Sequence, residues 1–264
     1  MKGRGLNIAL CLYVGLIFIF VFAPIIFSLI FSFNSQRFPT IPLGEFSTEW
    51  YVKIFNDEDV WKAVRNSVIV SSSTAVLATI LGFCTAYSDF RYNFRFKGPY
   101  LALILLPPTI PLIIMALAML AWLSRIGMSG QLWSIILAHS VLTAPFAMAI
   151  IRLRLHQMDP DLEAAAWNLG GTEWQAMRHV IVPFCAPAIV SALCLTAAVS
   201  FDEFAVAWFV SGLNKTVPIV ILEIVQGNID PTVNAIGTFV FLTSMTLVVL
   251  AQVIFLSRQI KSHS

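Results

Sequence analysis

Charge is what this sequence has least of. Of its 264 residues only 11% are Asp, Glu, Lys or Arg, while 58% are hydrophobic, and the mean hydropathy is +0.84. A soluble domain carries about 25% charged residues, so this composition excludes one and points to a bilayer. The net charge is only +2, and no basic stripe with interleaved aromatics is present, which leaves no case for nucleic acid. The four cysteines, Cys11, Cys84, Cys185 and Cys194, all lie in apolar runs and form no C-x-x-C pair. They read as small buried hydrophobes rather than a metal site or disulfide. A G-x-x-x-x-G-K-[ST] loop is absent, so ATP hydrolysis is not expected on this chain. An H-E-x-x-H motif and a Ser/His/Asp set are also absent. The chain therefore reads as non-enzymatic, binding no metal or cofactor of its own.

What is there is apolar sequence in spans. A bilayer crossing takes about 20 residues. Six stretches qualify: 6–33, 68–87, 99–123, 131–151, 183–210 and 234–256. The first follows Lys2 and Arg4 but is too long for a signal peptide and has no small-residue cleavage site after it, so it is expected to stay as a span kinked at Pro24. The third must break at Pro107, Pro108 and Pro111, whose freed carbonyls need other partners. His139 sits mid-span beside Ser140 and Thr143. It reads as an interhelical hydrogen-bonding residue, since no second His or Cys is placed to join it in a metal site.

Between the first two spans, 34–65 is polar and aromatic. Trp50, Tyr51, Ile54 and Phe55 share a helical face that Trp61 and Val64 continue, as in an amphipathic helix at the membrane–water boundary. A structural anchor and a place beside a substrate pathway both fit Trp50. With a cytoplasmic N-terminus, ten Lys and Arg fall inside and six outside, the six in longer loops. That obeys the positive-inside rule and puts both termini and segment 152–183 in the cytoplasm.

Segment 152–183 is the longest polar interval in the C-terminal two-thirds. Asp159 is an N-cap and Pro160 fits the first helical position. Asp161 and Glu163 oppose the helix dipole, residues 162–169 favour helix, and Gly170-Gly171 supplies the stop. Thr172-Glu173-Trp174-Gln175 is a capping box that starts a second helix, expected to end just before Pro183. The result is two short helices meeting at a glycine elbow. Leu162, Ala165, Ala166, Leu169, Trp174 and Met177 give it more apolar groups than a connector needs, which suits docking in another protein's groove.

This elbow resembles the EAA loop of ABC-importer permeases: Glu-Ala-Ala, three residues, Gly, nine residues, then Ile-x-Leu-Pro. Gly170 and Pro183 stand at that separation, with Val180-Ile181-Val182-Pro183 as the second half. The first half departs, because the Glu-Ala-Ala slot falls on Ala164-Ala165-Ala166 and the glutamate, Glu163, comes one place early. The resemblance implies an all-α integral membrane protein of six transmembrane helices with the type I ABC importer permease fold. It implies that Asp161, Leu162, Glu163, Ala164, Ala165, Ala166, Leu169, Gly170, Glu173 and Trp174 serve ATPase coupling. The partners it implies are two ATP-binding subunits carrying ATP and Mg, a second permease (homologous, as a heterodimer) and a periplasmic or extracellular solute-binding protein. The location it implies is a bacterial inner membrane.

Asp202 and Glu203 are the clear acids within a span. Each costs about 2.5–3.5 kcal/mol at a helix centre, and no Lys or Arg shares the span to neutralise them. An organic cation is the natural counter-charge, and a structural pair capped by a neighbouring helix is the other reading. Neighbours on a helix point about 100° apart, so one acid can face a pathway while the other meets a partner. Ser200-Phe201-Asp202-Glu203 is similar to the Ser-x-Asp-Asp motif of spermidine/putrescine-type permeases. FNSQRF, TEWY, Asp230-Pro231 and Asn234-Ala235 also fit that subfamily. Where those permeases often carry Asp after Pro in the third span, this chain has Pro108-Thr109. The expectation is a permease subunit moving a polyamine-like or other small organic amine past Ser200, Asp202, Glu203, Trp50 and Thr109. The competing expectation is a stand-alone proton-coupled secondary transporter using Asp202 or Glu203. It requires inverted repeats, and the elbow has no counterpart between the first three spans.

Overall fold

The computed structural model describes residues 2–37, 42–159, 161–227 and 231–246. Pro160, Asp230, Arg258 and Lys261, together with the end of the sixth apolar stretch, lie outside the described residues. Among the described residues every element is helical apart from one isolated antiparallel bridge, Asn34–Phe46. The chain divides into two compact units, Met1–Trp61 with Ile221–Ser264, and Lys62–Val220.

In the first unit, α1 (Lys2–Ser32) runs through Pro24 and exposes large apolar side chains along its length. Asn34 turns the chain after it, with its Oδ1 accepting from Gly44 N at 2.9 Å and Gln36 N at 3.3 Å. Next, α2 (Glu49–Asn56) docks back: Tyr51 Oη lies 2.8 Å from Ser32 Oγ, and Trp50 Nε1 donates to Asn34 O at 2.8 Å. The expected aromatic face is divided here. Asp57 is extended, and its carboxylate accepts from Asp59 N at 2.9 Å, so it caps a new helix, α3 (Glu58–Arg91), to which Trp61 and Val64 belong.

The second unit holds most of the remaining helices: α4 (Lys97–Leu105), α5 (Leu112–Arg125), α6 (Leu132–Leu155), α7 (Asp161–Asn168), α8 (Glu173–Ala176), α9 (Val182–Asp202) and α10 (Ala205–Val210). The prolines end α4, and Pro107–Thr109 forms a single 3₁₀ turn before α5. α6 is the axis of this unit. Its first half packs Ile135 and Leu142 with Met115, Leu123, Val206 and Val210, and its second half packs Met148, Ile151 and Leu155 with Ile181, Cys185 and Ala192. Lipid supplies no hydrophobic drive between helices, so close packing and interhelical hydrogen bonds must hold them. Gly82 of α3 shows how close: a Cβ there would lie 2.6 Å from Met148 N. At one end of this unit, buried Asp89 binds Arg152 Nε at 2.5 Å and Lys97 Nζ at 3.2 Å, fastening α3, α4 and α6 together.

Two features differ from the sequence expectation. The second elbow helix does not stop before Pro183, because a π-helical turn at Met177–Ile181 joins α8 to α9. That wider turn opens the hydrogen-bond ladder where Pro183 has no N–H to give. Beyond α10, the interval between the fifth and sixth apolar stretches, where no helix is expected from the sequence, contains α11 (Val217–Gly227), whose run of Val, Ile and Leu forms an apolar helix. Among the described residues four helices are long and apolar enough to cross a membrane: Leu6–Ser32, Glu58–Arg91, Leu132–Leu155 and Glu173–Asp202. The third apolar stretch is split by its prolines, and the last is described only as Thr232–Thr246, here α12.

Candidate substrate pathway and coupling elbow

The fifth apolar stretch is not one helix. α9 ends at Asp202, Glu203 is extended at φ −75° and ψ 117°, and α10 begins at Ala205. A helix start leaves backbone N–H groups unpaired, and Glu203 takes them. Its Oε1 accepts from Ala205 N at 3.0 Å, and its Oε2 accepts from Val206 N at 2.9 Å and Ala207 N at 3.3 Å. His139 of α6, fully buried, approaches from the other side, with Nε2 3.4 Å from Glu203 Oε2 and Nδ1 2.9 Å from Ser200 Oγ. The two adjacent acids therefore have different environments. Glu203, 8% exposed, is held by backbone, helix dipole and imidazole. Asp202 is exposed and, among the described residues, has no hydrogen-bonding or charged partner.

Asp202 opens into a cavity of about 770 Å³ walled by Pro108, Leu112, Leu142, Phe146, Ala198, Val199, Glu203 and Phe204. The proline break, α6 and the end of α9 supply its walls. An apolar cavity carrying one free carboxylate suits a ligand with a cationic end and a hydrocarbon body. Ser200 is buried, and its hydroxyl faces His139 rather than this space. Thr109 follows Pro108 and is exposed, and its hydroxyl donates back to Leu106 O at 2.7 Å. Trp50 belongs to the other unit, where its ring nitrogen is engaged by Asn34.

The elbow has the expected local chemistry. Asp161 N donates to Asp159 Oδ1 at 3.0 Å. Gly170 has φ +82°, which a side chain rarely adopts. The second start is a reciprocal capping box: Gln175 N donates to Thr172 Oγ1 at 3.3 Å and Thr172 N to Gln175 Oε1 at 2.7 Å. Leu162, Leu169 and Trp174 point outward, the last two at 90% and 71% exposure. Asp161, Ala165 and Glu173 are exposed with them, whereas Ala164, Ala166 and Met177 are half-buried. Glu163 differs from all of these. It is 4% exposed and turned inward, so the early glutamate is not on the outer face.

Sequence reasoning did not find the partner of His139, because Ser200 and Glu203 lie more than sixty residues further along. Their common signal was that all are polar residues in apolar stretches, which must meet one another when lipid offers no partner.

Residues 78–261 match the profile of the family described as "Binding-protein-dependent transport system inner membrane component". The chain is 34% identical over 243 residues to the spermidine/putrescine transport system permease protein PotC of Haemophilus influenzae, covering 92% of this chain and 94% of that protein. It is 31% identical over 232 residues to the putrescine transport system permease protein PotI of Escherichia coli, covering 84% and 82%. In three dimensions it is similar to the crystal structure of a bacterial ABC transporter involved in the import of the acidic polysaccharide alginate. The TM-score there is 0.74, with 17% identity and 96% of both chains covered.

Proposed function

The chain belongs to the binding-protein-dependent transport system inner membrane component family, and from that premise we propose that it forms part of the import pathway for a small organic amine. It is a non-enzymatic transport subunit with the all-α fold of type I ABC importer permeases. The observation that carries the substrate reading is Asp202, an exposed carboxylate with no partner among the described residues, in a largely apolar cavity at a helix break. An ammonium group meets that carboxylate while methylenes lie along Leu112, Leu142 and Phe146. The names of the PotC and PotI relatives support the same class. The alginate importer shares the fold at 17% identity and carries no argument about substrate.

The remaining parts follow from what this chain does not supply. ATP and its Mg belong to two separate ATPase subunits that dock on the outward side chains of the elbow, Leu162, Leu169 and Trp174 with their exposed neighbours Asp161, Ala165 and Glu173. A solute-binding protein delivers the amine on the opposite side, and a second, homologous permease closes the pathway. Ten of sixteen basic residues on one side support cytoplasmic termini and a cytoplasmic elbow, in a bacterial inner membrane. Binding at Asp202 must be weak enough for release, and a single free carboxylate meets that need. The proton-coupled alternative loses support, because Glu203 is engaged by three backbone N–H groups and His139.

The test is ATPase stimulation of the reconstituted complex, with its binding protein, by putrescine, spermidine, a zwitterionic amine and a neutral sugar. Stimulation by an amine and not by the sugar is expected. Stimulation by the sugar alone would overturn the substrate reading.

A further inference from the structure

Glu163 stands where the coupling elbow meets its own transmembrane helices. Its carboxylate lies 3.4 Å from Arg91 Nε and accepts from Tyr87 Oη at 3.4 Å, both on the last turns of α3. One turn further along α7, the Trp167 ring receives the same guanidinium, whose carbon is 4.7 Å from the ring centroid. Arg91 is thus held on two sides by α7, through an ion pair and a cation–π contact. A buried carboxylate is expensive unless paired, so α7 has one seat on α3, and Glu163 with Trp167 defines it.

The covalent ends of α7 are weaker connections. At one end lies Gly170-Gly171, with Gly170 at φ +82°. At the other, the chain leaves α6 through turns at 156–159 rather than a continuing helix. α3, by contrast, is a single helix of 34 residues. It meets α6 at Gly82 and carries Val70 into the cluster shared with α10.

We infer that the Glu163–Arg91 pair is a positioning clamp that delivers movement of the coupling elbow laterally into α3, rather than along the chain through the glycine joint. This rests on the reading that the elbow docks an ATPase. Glu163 then acts through Arg91 and not by touching the ATPase.

The experiment is a double-mutant cycle in the assembled importer with Glu163→Gln, Arg91→Gln and both together. The readout is labelled amine transported per ATP hydrolysed, with copurification of the ATPase subunit followed alongside. Each single change is expected to lower that ratio about threefold or more, with the ATPase still bound. The double variant is expected to be no worse than the poorer single, since both remove one connection. An unchanged ratio in both singles, or losses that multiply in the double, would overturn the clamp. Loss of the ATPase from the singles would make Glu163 a docking residue and overturn it as well. Failure of any ATPase subunit to copurify with the unmodified chain would instead sink the coupling reading beneath it.

Discussion

His139 Nε2 lies 3.4 Å from Glu203 Oε2, while the other ring nitrogen is 2.9 Å from Ser200 Oγ, so one buried imidazole joins α6 to the last turn of α9 and to the break that follows it. This contact separates the two neighbouring acids. Both acids line the cavity, but with Glu203 drawn back against the start of α10 it is buried, and Asp202 is left as the exposed carboxylate.

Replacing Glu203 with Ala strips the acceptor from three N–H groups and leaves His139 facing nothing charged. Removing one side of a buried, hydrogen-bonded charge costs about 3–5 kcal/mol. A clear fall in Tm of the purified protein is expected, with a smaller fall for Glu203→Gln, which keeps one acceptor oxygen. An unchanged Tm for the Ala variant would mean that Glu203 is not the cap.

His139→Leu keeps the volume roughly but leaves the Ser200 hydroxyl and one side of Glu203 without a partner. A loss of about 1–3 kcal/mol is expected for groups left unsatisfied in a buried setting. Because the break that orients Asp202 loosens with it, the KM for the transported amine should rise as well. Thermal melting read together with initial uptake rates checks both, and His139→Gln should recover part of each.

Gly82→Val tests the close crossing of α3 and α6. The first added carbon would fall 2.6 Å from Met148 N and 2.7 Å from Ala147 Cβ, both fixed parts of α6. Overpacking of this kind costs about 1–3 kcal/mol or more, and Tm should drop accordingly. At Gly98, where nothing lies within 4 Å, the same substitution should be close to neutral.

Leu169→Asp and Trp174→Ala change residues that are 90% and 71% exposed. Stability should move by no more than about 0.5 kcal/mol, as for surface positions generally. Copurification of the ATPase subunit should nevertheless weaken. Equal recovery of the ATPase with both variants would remove these side chains from the docking face.

The sequence carried local features well. Asp159, Gly170 and the Thr172/Gln175 box each act within a few residues, and their outcome depends on backbone chemistry alone. The prolines at 107–111 likewise break the third stretch through their own missing donors. What the sequence did not carry needs distance. Glu203 reads as a span residue until its side chain is seen capping α10, and the inward turn of Glu163 requires Arg91, more than seventy residues earlier. The helix through Pro183 was hidden for another reason: a proline ordinarily ends a helix, and only the π-helical turn before it lets this one continue.

The most direct test of the account is uptake of a labelled amine into proteoliposomes holding the assembled importer, with Asp202→Asn compared against the unmodified chain. Asp202 is exposed and has no partner among the described residues, so the change should leave Tm and ATPase copurification in place. Hydrogen bonds to charged groups contribute about 1.5–3 kcal/mol, so kcat/KM for the amine should fall by about ten- to a hundredfold. Uptake by Asp202→Asn at the unmodified rate and KM would contradict the account, because the free carboxylate would then not be where the substrate passes.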